Sequence, residues 1–402
     1  MAIDTEDKRR SVHGTLGPFA VIAPRPDGGL NEFDRRHAAG LYRGQLIAQA
    51  LFTLLRPAGV AIQFLLADAV GRVLAEIRPD IQRVSWRRSG AGALAFTLAV
   101  TDEKLREEYF YFGNRVLLRF DNGLPAWGGE LTGAAEWTGS AVSFEAQSGE
   151  RALMKRRTGR NRAFVETRAG AILTALLEEV DAFARSHLLP GNIWSGGPAH
   201  SPAYQRKTLY DVLSELVGDS TTATFDVTPA LEGGYIRFYV NLYERKGSDK
   251  PGVGLVEGRN VSGIRYREID EIVNVWHLAG EGDGWSDDAR VYATAIDRQS
   301  TGRHGVREDS ETRAGVVQQT AIEEAAEVRL DQTAWPTRVL GLTVTNHQPG
   351  LFGGYDVGDA VACRLPSYGW GGVSGMYEVL GREFFPSDGT ADLVLLEAQR
   401  WP

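Results

Sequence analysis

Residues 61–100, AIQFLLADAVGRVLAEIRPDIQRVSWRRSGAGALAFTLAV, hold the pattern that decides the fold. Apolar, β-branched and aromatic runs (IQFLLAD, RVLAEI, QRVSWRR, GALAFTLAV) are cut by Asp68, Gly71, Pro79 and the Gly90–Gly92 turn. Those intervals are too short for helices, so the stretch predicts a β-meander. Past it, a short helix is expected over Asp102–Phe110, and then strands resume in NRVLLRFDN, GLPAWGGELTGAAEW and AVSFEAQS, with Asp121-Asn122-Gly123 as a hairpin turn. Residues 61–155 are therefore expected to form one β-barrel or sandwich-like domain with an inserted helix.

Downstream the pattern turns mixed. Ile172, Leu173, Leu176, Leu177, Val180 and Phe183 share one face of a helix expected over Ala171–His187. Thr208 with Asp211 opens a second helix that Gly218 closes. The runs ATFDVTP and GYIRFYVNLYE read as a hairpin, giving residues 156–252 an α+β character. After KGSDKPG, read as a linker, residues 253–402 return to strands with one helix near Val317–Leu330. Upstream, residues 1–60 begin charged and continue into an amphipathic run, Asp34–Leu55, stopped by Pro57 and Gly59. That run is expected to dock on its own protein or a neighbour rather than on a membrane surface. The fold class expected is α+β and β-rich: two β-barrel-like domains flanking a mixed α+β domain, with an N-terminal helical extension.

Composition narrows the function. A chain of 402 residues is long enough for two to four domains. With 43% hydrophobic and 24% charged residues it is neither a disordered nor a membrane composition. The 47 glycines follow no period, which fits many turns between short strands. A net charge of -8, without a dense basic run interleaved with aromatics, argues against tight nucleic-acid binding. One cysteine allows no intrachain disulfide and no Cys cluster for zinc, and suits synthesis in a reducing cytoplasm. The apolar stretch Leu46–Leu55 stops short of the ~20 residues a bilayer span needs. The N-terminus has charges of both signs and no apolar core behind them, so no signal peptide is expected.

Few residues suggest chemistry. Cys363 with His347 or His277 would make a thiol nucleophile and base, but a lone cysteine in the strand-like AVACRL is ordinarily a small buried hydrophobe. The loop Gly280–Trp285, followed by Asp287 and Asp288, offers oxygen ligands without EF-hand spacing and is expected to be solvated. Gly90-Ala91-Gly92 lies in a hairpin, not between a strand and a helix, so it is a turn rather than a phosphate loop. Lys155-Arg156-Arg157, extended by Arg160 and Arg162, is the one basic run and is expected to be solvated or to meet a neighbouring subunit. The nine tryptophans, Trp276 and Trp285 among them, and the Gly/aromatic loop of Pro366–Met376 with Tyr368 and Trp370, fit assembly anchors better than a sugar platform. The candidate assembly contacts are thus Tyr368, Trp370, Trp276, Trp285, Arg156 and Arg157. No catalytic, cofactor-binding or metal-ligating residue is expected.

Two segments carry a resemblance. In residues 255–274, LVEGRNVSGIRYREIDEIVN, Glu257, Gly258 and Asn260 precede a strand, and Val273, Asn274 and Val275 begin the next. Later, YDVGDAV (355–361) is followed by GMYEVLGREF (375–384). In order and spacing over residues 61–402 these resemble the baseplate hub proteins of phage tail tips, of the siphophage type found as the N-terminal hub of tail-associated lysins. Residues 1–60 match nothing in that pattern. The resemblance implies tail-tube-type barrels, two per chain, alternating in a homotrimer to make a pseudo-sixfold ring that continues and closes the tail tube, with the middle domain outside. It also implies a virion structural protein at the tail tip. Its partners would be copies of itself, the distal tail protein or tail tube ring, the tape measure protein and a central fibre, with DNA only passing through the lumen on ejection. A cell-wall-degrading tail enzyme and a receptor- or carbohydrate-binding tail module are the alternatives. A downstream catalytic domain is not expected, because the last strand reaches almost to Pro402.

Overall fold

The structure, a computed structural model, describes residues 60–183, 187–218, 223–269, 271–280, 290–313, 316, 318–368 and 371–398. The expected helix of Asp34–Leu55 lies outside them. The meander forms as β1 (Ile62–Ala67), β2 (Val73–Ile77), β3 (Asp80–Arg87) and β4 (Ala93–Ala99), followed by β5 (Arg115–Phe120), β6 (Trp127–Thr138) and β7 (Ala141–Ser148). Alternation drives the pairing: in β7, Val142, Phe144 and Ala146 point into the core and the residues between them do not.

The expected helix over Asp102–Phe110 is only a single 3-10 turn, Glu107–Tyr109. Side chains there satisfy the backbone in its place. Asp102 accepts from the Lys104 amide at 2.8 Å, and the Asn114 amide donates to the Glu108 and Tyr109 carbonyls. Phe110 then stacks on Phe144 with centroids 4.2 Å apart.

The middle segment supplies the short pieces β8 (Arg162–Ala163), β9 (Thr167–Arg168), β11 (Ala199–His200) and β12 (Ala203–Tyr204), with β10 (Leu188–Ile193) between them. The hairpin β13 (Thr224–Glu232) and β14 (Tyr235–Tyr243) turns at Gly233 and Gly234, both at positive φ (56° and 81°), the two-residue turn that matches strand twist. It forms a three-stranded sheet in the order β10-β14-β13. Helices Ala169–Phe183 and Leu209–Gly218 pack on it through Ile172, Leu176, Val212 and Leu213, against Phe225, Phe238 and Val240. A further helix, Glu150–Lys155, leads into this unit.

The last third gives β15 (Asp249–Val256), β16 (Val261–Ile269), β17 (Val275–Ala279), β18 (Tyr292–Ile296), β19 (Glu308–Thr312), β20 (Thr337–Thr345), β21 (Ala360–Leu365), β22 (Val373–Phe385) and β23 (Thr390–Glu397). Part of the expected KGSDKPG linker is strand, because β15 runs parallel beside β21. The expected helix near Val317 spans Gln319–Thr333 and packs through Ile322 and Ala326 on a separate small sheet, β18-β17-β19.

The two β-rich segments meet at β22. Its first half pairs with β21, its second half with β3 across Gly381–Phe384, and most of its length with β23. The result is one thirteen-stranded sheet, β16-β20-β23-β22-β3-β4-β7-β6-β5-β1-β2, with β15 and β21 branching from β22. A single hydrophobic core draws on both segments: Phe64, Phe96 and Val142 from one, Leu342, Tyr377, Phe384 and Leu395 from the other. Arg382 lies inside the seam at 2% exposure, its guanidinium over the Tyr355 ring at 4.4 Å and donating to the Tyr355 carbonyl at 2.6 Å.

Candidate assembly surfaces

A strand paired on one side only leaves a row of N–H and C=O groups that must be covered or used. Among the described residues, β2 and β16 stand at the two ends of the large sheet's main path and β15 at the end of its branch, each paired on one side. The start of β2 is partly shielded: Val73 donates to the Gly234 carbonyl at 2.9 Å, and Arg72 bridges to Tyr235.

The residues that carry the sequence resemblance hold turns. Asn260 is fully buried; it accepts from the Val256 amide and donates to the Gly254 carbonyl, both at 2.8 Å, which fixes the turn between β15 and β16. The Glu257 carboxylate accepts from the Ser367 amide at 3.0 Å and so holds the Gly/aromatic loop against that turn. Asn274, also fully buried, donates to the Gly305 carbonyl and accepts from the Arg307 amide, both at 2.8 Å, closing the entrance to the small sheet. Asp359 accepts from the Ser248 and Asp356 amides. Burying such groups is tolerable only because each is satisfied. Asn260→Ala is therefore expected to cost about 1–3 kcal/mol by orphaning the Val256 amide and the Gly254 carbonyl, measured as a lowered urea midpoint with unchanged slope.

The six candidate contacts are dispersed. Tyr368 is half-buried and packs on the main core, its amide donating to the Leu365 carbonyl at 3.3 Å. Trp276 is turned inward: at 8% exposure its indole donates to Thr333 Oγ1 at 2.8 Å, with Arg329 over its ring. Arg156 donates to the Val180 carbonyl at 2.9 Å, in the last turn of helix Ala169–Phe183. Arg157 is exposed, and it donates to the Arg206 carbonyl at 3.0 Å. Trp370 and Trp285 lie outside the described residues, as does most of the Gly280–Asp288 loop.

Sequence reading did not single out two exposed aromatics, and it placed Phe183 on the inward face of its helix, where the structure has it 92% exposed at the helix end. Trp137 is 66% exposed near the tip of the β6–β7 hairpin, and Phe112 is 71% exposed beside Tyr111 in the turn before β5. Trp137 sits opposite buried Val142, on the core-facing side of the hairpin. The turn residues Gly139 and Ser140 just after it were the available signal that it sits at a tip.

Cys363 lies in β21 at 2% exposure, and burial pushes its thiol up to about 12, so it stays neutral. His277 belongs to the small sheet and bonds Thr294. Among the described residues no group of three or more His, Cys, Asp or Glu side chains is placed to hold a metal ion, and no helix is long and apolar enough to cross a membrane.

No protein-family model and no curated protein matches the chain. Its fold is shared with solved phage-type tail proteins. The 43 kDa tail protein of prophage MuSo2 from Shewanella oneidensis matches at a TM-score of 0.58 and 14% identity, over 83% of this chain and 98% of that one. A tail protein from Neisseria meningitidis matches at 0.55 and 14% identity, over 86% and 98%. A prophage tail protein from Listeria monocytogenes matches at 0.54 and 10%, over 84% and 95%.

Proposed function

We propose that the chain is a structural subunit of a phage tail baseplate hub: a homotrimer whose ring continues and closes the tail tube and lets DNA pass on ejection. The observation that carries this reading is the single large sheet whose edge strands β2, β16 and β15 are each paired on one side, in a fold shared with prophage tail proteins. The main-path ends of the sheet, β2 and β16, suit a head-to-tail contact that closes into a ring and consumes those edges. Each chain then contributes two β-barrel-like portions to the ring, with the α+β unit outside. Trp137, Phe112 and Tyr368 are the aromatic anchors this assembly would use. The distal tail protein or tube ring, the tape measure protein and a central fibre are the expected neighbours in the virion. A net charge of -8 favours a wall past which DNA slides rather than sticks.

The test is the mass of the purified protein by light scattering at several concentrations, with negatively stained images. A trimer mass with ring-shaped particles is the expected result. A monodisperse monomer without rings, combined with wall-degrading or cell-binding activity, would replace this reading with a tail enzyme or a receptor-binding module.

A further inference from the structure

The α+β unit carries a ribbon of like charge. Residues 157–168 run antiparallel to residues 199–208 through a series of short pairings. Arg157 bridges to Thr208, Arg162 and Ala163 pair with Tyr204 and Ala203, and Thr167 and Arg168 pair with His200 and Ala199. Backbone bonds hold the two segments together between these pairs: the Thr158 amide donates to the Lys207 carbonyl at 2.8 Å, and the Arg206 amide to the Gly159 carbonyl at 3.1 Å. The two segments hold six Lys and Arg side chains against one acid, Glu166, in a chain whose net charge is -8. Glu179 pairs with Arg162 and Glu215 with Lys207. Arg157, Arg160, Arg168 and Arg206 are exposed and have no carboxylate partner among the described residues.

Charge of the opposite sign is set apart on helix Gln319–Thr333. Ile322 and Ala326 bury one side of it against the small sheet, and Glu323, Glu324, Glu327 and Asp331 are exposed on the other. Glu323 and Glu327 are four residues apart, as are Glu327 and Asp331, and like charges at that spacing destabilise a helix. The one cation of the helix, Arg329, is directed inward: it lies over the Trp276 ring and pairs with Glu311. The acidic stripe is left uncompensated within its own helix.

The two patches are fastened to different cores. Phe164 and Tyr204 anchor the ribbon to the α+β core, whereas the helix rests on the core of the small sheet. Repulsion within each patch works against the isolated chain, and each supplies the charge that the other lacks.

We propose that the basic ribbon of one copy docks on the acidic helix Gln319–Thr333 of a second copy. The contact rests on the reading that copies of the chain assemble, and it adds a charged surface outside the sheet edges that steers their encounter and sets their register. Every copy presents both halves, so a head-to-tail arrangement that closes uses all of them. Ion pairs between exposed groups are screened by salt, which makes the contact sensitive to ionic strength in a way that buried strand edges are not.

Light scattering of the full chain over a range of concentrations, at about 50 mM and about 500 mM salt, tests this. Arg160→Glu/Arg206→Glu reverses the ribbon and Glu324→Arg/Glu327→Arg reverses the helix, all at exposed positions. Each pair of changes is expected to weaken association at low salt roughly tenfold, as is the higher salt for the unaltered chain. The protein carrying all four is expected to regain most of the loss, because the contact re-forms with its signs exchanged. Weakening by the ribbon changes alone would assign the ribbon to another anion, such as DNA, and overturn the contact; so would the absence of rescue, or a monomer at low salt. A trimer indifferent to all four changes overturns the contact and leaves the hub reading standing. A rescued, salt-sensitive assembly of another mass supports the contact and removes the trimeric ring. Should a variant misfold, a mixture of Arg160→Cys and Glu327→Cys proteins under a mild oxidant decides, since the native Cys363 is buried. A disulfide-linked mixed pair formed in preference to either like pair supports the contact, and no such preference overturns it.

Discussion

Asp226→Ala is expected to destabilise the protein by about 3–5 kcal/mol, because it strands a buried ammonium. Lys246 has a side-chain exposure of 20% and its closest carboxylate is Asp226 at 2.7 Å. Asn241 and Tyr243 lose an acceptor in the same step. Glu150 and Asp356 still attract the cation, which holds the cost toward the lower end of that range. The measurement is the urea midpoint of the single variant beside that of Asp226→Asn/Lys246→Met, which removes both charges and should recover part of the loss. No recovery would mean that the pair contributes nothing beyond its separate side chains.

Phe96→Ala is expected to cost a similar amount, about 3–5 kcal/mol, through lost burial and the cavity left behind. Phe96 is fully buried, with ring centroids 4.8 Å from Phe64 and 5.3 Å from Phe144. Its consequence reaches past β4. Since residues from both β-rich segments line one core, the substitution should lower a single transition seen alike by probes in β4 and β23. Two separated transitions, with β23 unmoved, would show that the segments unfold as independent domains.

Much of the local structure was legible. The period-two run of Tyr235–Tyr243 became a strand because alternating apolar side chains share one buried face, whereas the continuous apolar run of Phe64–Ala67 became one because its two faces are covered by two different cores. Thr208 does cap its helix, its hydroxyl oxygen accepting from the Asp211 amide at 3.1 Å. Asn260, Asn274 and Asp359, noticed as a spacing pattern, proved to be buried turn holders, a role that follows from short polar side chains bonding nearby backbone. The assembly candidates were less legible. Trp276 and Trp137 look alike as aromatics in strands, yet one is capped by helix Gln319–Thr333 and the other extends beyond the core, and only the packing of distant elements distinguishes them. The small sheet β18-β17-β19 was hidden for a related reason: its outer strand β19 is polar, and it pairs in parallel with β17 across an intervening strand and helix.

By itself, the sequence determined most strands of the large sheet and the β13–β14 hairpin, where they turn, and that the chain carries no dense basic run interleaved with aromatics. These depend on neighbours a few residues apart: side-chain alternation, turn chemistry and composition. Tertiary structure alone decided that β22 joins β3, where Arg88 meets Glu378 at 2.5 Å across 290 residues, and that Glu150, Asp226 and Lys246 share one buried site. Strand pairing is chosen by which apolar faces bury together, and a carboxylate's proton affinity by the water removed around it. Both depend on residues that are distant along the chain and become neighbours only after folding.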